Sequence, residues 1–184
     1  MRRVWFFMMV TANGYYERGP WAIDWHNTDE EFNSFAIAQL GTVDTLLFGR
    51  KTYEGMAAYW PTPEALRDDP VVAGKMNGTA KIVFSRTLEH AAWSNTTVMR
   101  GDARDGLAAV KRAAGGDMLL IGSSDLAAGL TERGLIDEYR LMVNPIALPS
   151  GKPVLEGIAS DLRLVLADVR RFGNDNVLLT YRPR

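Results

Sequence analysis

The chain has 184 residues, of which 47% are hydrophobic and 23% charged, with 21 Lys and Arg set against 22 Asp and Glu. That near-balance argues against a protein that coats nucleic acid or an anionic membrane through bulk charge. The complete lack of cysteine excludes disulfides, thiolate metal sites and a cysteine nucleophile, and fits a reducing, cytoplasmic setting.

The first ten residues, MRRVWFFMMV, imitate a signal peptide, but the apolar run is short and no small-residue cleavage site follows it. They predict a buried strand over 3–10, and TANGYYERGP after it is turn chemistry. Residues 29–40 predict a helix, opened by a capping box of Thr28 with Glu31, with Phe32, Phe35, Ala36 and Leu40 on one face. A second strand over 43–48 ends at Gly49, and a short helix capped by Thr52 runs to Tyr59. Residues 61–78, with their prolines and mixed charge, predict a loop.

AKIVFS (80–85) and TTVM (96–99) predict further strands, and Asp102 caps a helix running to Ala114, stopped by Gly115. DMLLI (117–121) is a continuous apolar run, as expected of a strand buried on both faces. A helix opens after Gly122 and two serines and closes at Gly134. The rest is strand-rich, over 137–146, 162–170 and 175–182, with FGNDN as the tight turn of an antiparallel hairpin. No repeat or linker interrupts this order, which predicts one α/β domain over 1–184, its mostly parallel central sheet flanked by helices on both faces.

Three strand ends carry unusual polar chemistry: FGRKT (48–52), FSRT (84–87) and IGSSD (121–125). In an open parallel sheet such ends line one edge, where ligands bind. Gly49 lets a ligand approach the backbone closely, and the following helix start attracts anions. Arg50, Lys51 and Arg86 add positive charge, and Gly122, Ser123 and Ser124 add neutral donors at a second helix start. Together they suit a pyrophosphate and one further phosphate. G-x-G-x-x-G and the P-loop pattern are both absent, which disfavours a Rossmann protein and a P-loop NTPase.

TANG, LLFGRKTYEGMAAYW, KIVFSRTL, LLIGSSDLAAGL and RGLIDEYRLMVNPIALPSGKPVLEG, in that order, resemble the dihydrofolate reductase-like superfamily. The likeness is to stand-alone relatives of the riboflavin-biosynthesis reductase, the RibD C-terminal domain family, and covers nearly the whole chain. It implies a dihydrofolate reductase-like three-layer fold with an NADPH site along the sheet edge. By matching motif positions, Gly49, Arg50, Lys51 and Thr52 would hold phosphates, and Ser85 and Arg86 would lie near the adenosine 2′-phosphate. Gly122, Ser123, Ser124, Asp125 and Leu126 would meet the pyrophosphate and nicotinamide side. Val10, Thr11 and Ala12 would edge the nicotinamide, with Gly14 in the loop beyond them.

The chain departs from the family pattern at Ser123, where a second glycine is usual, and at LPSG, where LGSG is usual. In an ungapped alignment back from GRKT, Asn33 stands where true dihydrofolate reductases carry a carboxylate, so the resemblance implies a substrate other than dihydrofolate unless Glu30 or Glu31 takes that place through a shifted helix. The expectation is an NADPH-dependent reductase of a small carbonyl or imine, related to 5-amino-6-(5-phosphoribosylamino)uracil reductase; the alternative is a catalytically silent NADP(H)-binding module. Asp24, Glu31 or an ordered water would supply the proton. Trp21, Asp24, Trp25 and His26 form either a structured loop burying two indoles or a lid over a flat substrate. His26 and His90 lie far apart, with no metal-ligand spacing. No nucleic-acid or membrane partner is expected, and the family likeness implies a homodimer through the strand-rich C-terminal part.

Overall fold

The computed structural model describes residues 1–19 and 22–184. Strand β1 (Val4–Thr11) is buried along its whole length, and β2 (Tyr15–Glu17) comes after the turn at Gly14. Helix α1 (Glu30–Gly41) leads to β3 (Val43–Gly49), which passes directly into α2 (Arg50–Tyr59). Two short helices, α3 (Pro63–Asp68) and α4 (Pro70–Gly78), precede β4 (Ala80–Phe84) and β5 (Thr96–Met99). Then come α5 (Ala103–Arg112), β6 (Asp117–Ile121), α6 (Ser124–Thr131) and β7 (Glu138–Asn144). The chain finishes with β8 (Lys152–Pro153), β9 (Leu164–Arg171) and β10 (Val177–Pro183).

Eight strands form one sheet in the order β5-β4-β3-β6-β1-β7-β10-β9. The pairs from β5 through β7 are parallel, whereas β10 runs antiparallel to both β7 and β9. The two faces of β1 show why its sequence has no polar alternation. Trp5, Phe7 and Met9 join Leu40, Tyr53, Val72 and Met76 under α1, α2 and α4. Val4, Phe6, Met8 and Val10 join Leu107, Ala127 and Leu130 under α5 and α6. A strand covered on both faces reads as an unbroken apolar run.

Several local expectations are corrected. Residues 61–78 are not a loop: helices start at Pro63 and Pro70. Proline suits the first helical turn because its missing N–H would have no partner there. Thr62 and Asp69 accept from the N–H groups of Ala65 and Val72 and cap these helices. The cap of α1 is Asp29, not Thr28; its carboxylate accepts from the Phe32 N–H at 2.8 Å. Thr52 is not the cap of α2; that helix begins at Arg50 with Gly49 in the cap position. Helix α5 ends at Arg112, before Gly115. The β2–β8 pairing is too short for any sequence period to reveal.

The FGNDN turn closes the β9–β10 hairpin, with the N–H of Phe172 donating to the Asn176 carbonyl at 2.9 Å and Asp175 in the left-handed region. No helix among the described residues is long and apolar enough to cross a membrane.

Candidate functional site

The parallel strands all finish on one side, so the ends of β3, β4 and β6 are neighbours although distant in sequence. They meet at a cleft of about 580 Å³, lined by Gly49, Ser85, Arg86 and Leu126 among others. Gly101 and Asp102, from the start of α5, form another part of its wall. Sequence reasoning treated Asp102 only as a helix cap. Its place in the cleft follows from the β4–β5 pairing, for which the four residues of β5 give little pattern.

Helix N-termini repeat a theme with one telling difference. Helices α1, α3, α4 and α5 are each capped by a side chain, from Asp29, Thr62, Asp69 and Asp102. Among the described residues, the cap positions of α2 and α6, Gly49 and Ser123, make no such bond. Their first-turn N–H groups, at Arg50, Lys51 and Thr52 and at Ser124, Asp125 and Leu126, are donors without intrahelical partners. Both helices start at the sheet edge that carries the cleft, and their dipoles favour an anion there.

The backbone between β6 and α6 is tightly shaped. Gly122 and Ser123 both adopt positive φ, 59° and 57°. A Cβ on Gly122 would lie 3.3 Å from Thr52 Cγ2, so glycine is what lets the two junctions approach. The N–H of Gly49 donates to Ser123 Oγ at 2.8 Å. Ser124 Oγ is committed elsewhere: it accepts from the N–H of Leu155 at 2.7 Å and is buried.

Of the cations, Arg50 holds Glu54 one turn along α2, at 3.0 Å. Lys51 is exposed, and neither it nor Arg86 has an ion-pair partner among the described residues. An exposed lysine and an unpaired arginine beside uncapped helix starts are what a phosphate-bearing ligand needs. A Cβ on Gly49 would lie 3.3 Å from Ser123 Oγ, so its bareness serves the packing of the β3 end against the β6 end rather than the approach of a ligand. The fit to a dinucleotide phosphate chain therefore rests on two counts: free helix-start donors, and positive charge unpaired among the described residues.

The end of β1 is held by polar contacts. Thr11 Oγ1 donates to Asn13 Oδ1 at 2.8 Å and accepts from the Tyr15 N–H. The Ala12 N–H donates to the Ile146 carbonyl at 2.8 Å. The Val10 carbonyl accepts from the amide of Asn144 at 3.3 Å. Asn144 is fully buried, and its Oδ1 accepts from the Asn27 N–H at 2.8 Å. The carbonyl of Asn27 in turn accepts from Asn176, and its side-chain amide donates to the Asn174 carbonyl. This asparagine network, which no periodicity or spacing announces, ties the loop after β1 to the ends of β7 and the hairpin.

In that loop Trp25 is buried, with the His26 ring edge-on to it at 4.6 Å. Burial pushes the His26 imidazole down to about 4, against a smaller opposing pull from Asp24, so the ring is neutral near pH 7. Trp21 lies outside the described residues. The two carboxylates expected as proton donors are engaged at the surface. Asp24 pairs with Arg18 at 3.3 Å. Glu31 accepts from the Gly173 N–H and from Arg170, both at 2.8 Å, contacts that hold its carboxyl below the usual range. Neither lines the cleft. The position of Glu31 follows from the hairpin turn, which reaches α1 only in three dimensions.

The mostly parallel sheet with its flanking helices is an α/β fold of the dihydrofolate reductase-like kind. The chain belongs to the RibD C-terminal domain family, whose model matches residues 2–178. It is 27% identical over 182 residues to the uncharacterized protein YyaP of Bacillus subtilis, covering 98% of this chain and 94% of the relative. Among solved structures it resembles the Thermotoga maritima diaminohydroxyphosphoribosylaminopyrimidine deaminase/5-amino-6-(5-phosphoribosylamino)uracil reductase. The TM-score is 0.68 at 14% identity, over all of this chain and 57% of that one. It also resembles dihydrofolate reductase from Enterococcus faecalis complexed with NADP(H), with a TM-score of 0.63 at 16% identity, covering 99% of this chain and 96% of that one. At such identities the structural likenesses speak to the fold.

Proposed function

We propose that the protein is an NADPH-dependent reductase acting on a small carbonyl or imine compound other than dihydrofolate. One observation carries the reading. Among the described residues, α2 and α6 have no side-chain cap and Arg86 has no ion-pair partner, and both helices start at the edge of the cleft that Arg86 lines. The NADP(H) in the Enterococcus dihydrofolate reductase complex and the reductase named in the Thermotoga protein support the same assignment.

When bound, the nicotinamide supplies the hydride. The chain's own part is to grip and orient. The N–H groups of Arg50, Lys51 and Thr52, with those at the start of α6, hold the pyrophosphate. Ser85 and Arg86 take the 2′-phosphate. Val10, Thr11 and Ala12 fix the nicotinamide edge through a β1 end that hydrogen bonds to β7 make rigid. Water is the proton source in this reading, because Asp24 and Glu31 are held at the surface by arginines. Asn33 offers a pterin ring no carboxylate.

A second reading is a silent NADP(H)-binding module, favoured by the Ser123 side chain that stands between the β3 and β6 ends. Titration with NADPH, followed by its consumption with a panel of carbonyl and imine compounds, tests both. Binding with turnover supports the reductase, binding without turnover supports the module, and no binding removes both.

We also propose a homodimer through the C-terminal strands. Leu166 and Val169 on the edge strand β9 are apolar yet each 51% exposed, uncovered by any helix among the described residues. A second copy would cover them.

A further inference from the structure

Arg86 shares its cleft with a carboxylate, Asp102. That pairing is a conflict for the proposed cofactor. A carboxylate beside the adenosine ribose accepts a hydrogen bond from a free 2′-hydroxyl, whereas an arginine there accommodates a 2′-phosphate. An unshielded Asp102 would repel the phosphate and would cancel much of the attraction of Arg86.

The neighbouring Arg104 removes the conflict. Its Nε donates to Asp102 Oδ1 at 3.0 Å, and its Nη2 donates to Oδ2 at 2.6 Å, a two-pronged grip. The backbone N–H of Arg104 donates to Oδ1 as well, at 2.8 Å. Both carboxylate oxygens are therefore engaged within the first turn of α5. Arg104 is steadied from the far side by Glu132, 3.8 Å away on the turn after α6. The guanidinium holds the Asp102 carboxyl well below the usual carboxylate range, so it stays charged and paired.

We infer that Arg104 is a specificity-determining residue: by neutralising Asp102 in the cleft wall, it makes the adenosine end select a 2′-phosphate over a bare ribose hydroxyl. This rests on the NADP(H) reading above and deepens it. A purely local role, closing the first turn of α5, would move stability and leave the choice of nucleotide untouched.

The test is a fluorescence titration of the full chain with NADPH and with NADH. It compares the wild type with Arg104→Gln, Asp102→Asn and the double variant, with far-UV circular dichroism on each. Asparagine preserves the helix cap. Arg104→Gln is expected to weaken NADPH binding about tenfold and to leave NADH within about twofold. Adding Asp102→Asn restores the wild-type ratio, because the exposed charge is gone. Higher salt narrows the gap between wild type and Arg104→Gln. Should Arg104→Gln lose its fold, Arg104→Lys, which keeps a point charge without the fork, is expected to give an intermediate ratio. An unchanged ratio in the arginine variants, or a double variant that fails to restore it, overturns the inference while leaving the NADP(H) reading intact. A wild type that binds neither nucleotide overturns both.

Discussion

Ser123 Oγ accepts the N–H of Gly49 at 2.8 Å across 74 residues of sequence, and so joins the end of β3 to the end of β6. Ser123 does this from the left-handed region, at φ 57° and ψ 54°, where a side chain costs about 1–2 kcal/mol. Ser123→Ala keeps that cost and loses the bond, so it is expected to destabilise the protein by about 1 kcal/mol. Ser123→Gly loses the same bond but relieves the backbone, and is expected to be near neutral. Urea unfolding of the nucleotide-free protein checks both, and equal losses for the two variants would contradict the account.

Arg86→Ala is expected to weaken NADPH binding by about tenfold and to narrow its preference over NADH, since a charge-assisted pair to the 2′-phosphate is lost. Arg50→Ala is expected to weaken both nucleotides alike and by less, because Arg50 already shares its charge with Glu54. Isothermal calorimetry with each nucleotide separates the two patterns.

Asn144→Leu is expected to cost about 1–2 kcal/mol, because it removes the acceptor of the part-buried Asn27 N–H and the amide bond to the Val10 carbonyl. The same change frees the loop before α1. Amide exchange at Asn27 and neighbouring positions should quicken beyond what global unfolding explains.

The pH dependence of stability has a predicted sign on the acid side. His26 titrates at 6.5 when unfolded and at about 4 in the fold, so the unfolded chain binds the extra proton between those values. Stability is full above pH 6.5 and falls as the pH drops towards 4, by on the order of 3 kcal/mol in the limit. His26→Phe keeps a ring against Trp25 and is expected to flatten that slope. Denaturation curves at about pH 7, 5.5 and 4.5, which span the window, would show it.

Leu166→Lys and Val169→Lys are each expected to shift the protein from dimer to monomer at micromolar concentration, read by light scattering. A wild type that is monomeric at all concentrations would remove the dimer proposal.

Much of the fold was legible because its signals are local. The apolar run of β1, the Asp102 cap and the FGNDN turn each carry their meaning within a few residues, and the βα junctions lie where a parallel sheet brings them to one edge. The errors share a physical cause. A proline such as Pro63 or Pro70 can break a helix or start one, and the residues after it decide which. Thr28 and Asp29 both offer a cap. Glu31 could not be placed without the hairpin at Gly173, nor Asp102 without the pairing of β5. The Asn27–Asn144–Asn176 network joins residues that no repeat or spacing connects. Side chains whose partners lie more than a hundred residues away leave no pattern in the order of the amino acids.

The insertion of β10 between β7 and β9 has a consequence for how the polypeptide matures. Strand β9 emerges first yet has no neighbour of its own until β10 is in place, since its backbone pairs with that strand alone. Its backbone N–H and C=O groups thus have no strand partner until residues 177–183 are made. The β9–β10 hairpin is local, but β10 also docks on β7, which precedes it by the whole of β8 and β9, and contacts of that separation form more slowly. A chain ending just before Val177 would keep the parallel part of the sheet, from β5 through β7, but leave β7 with an open edge and β9 with no strand to join.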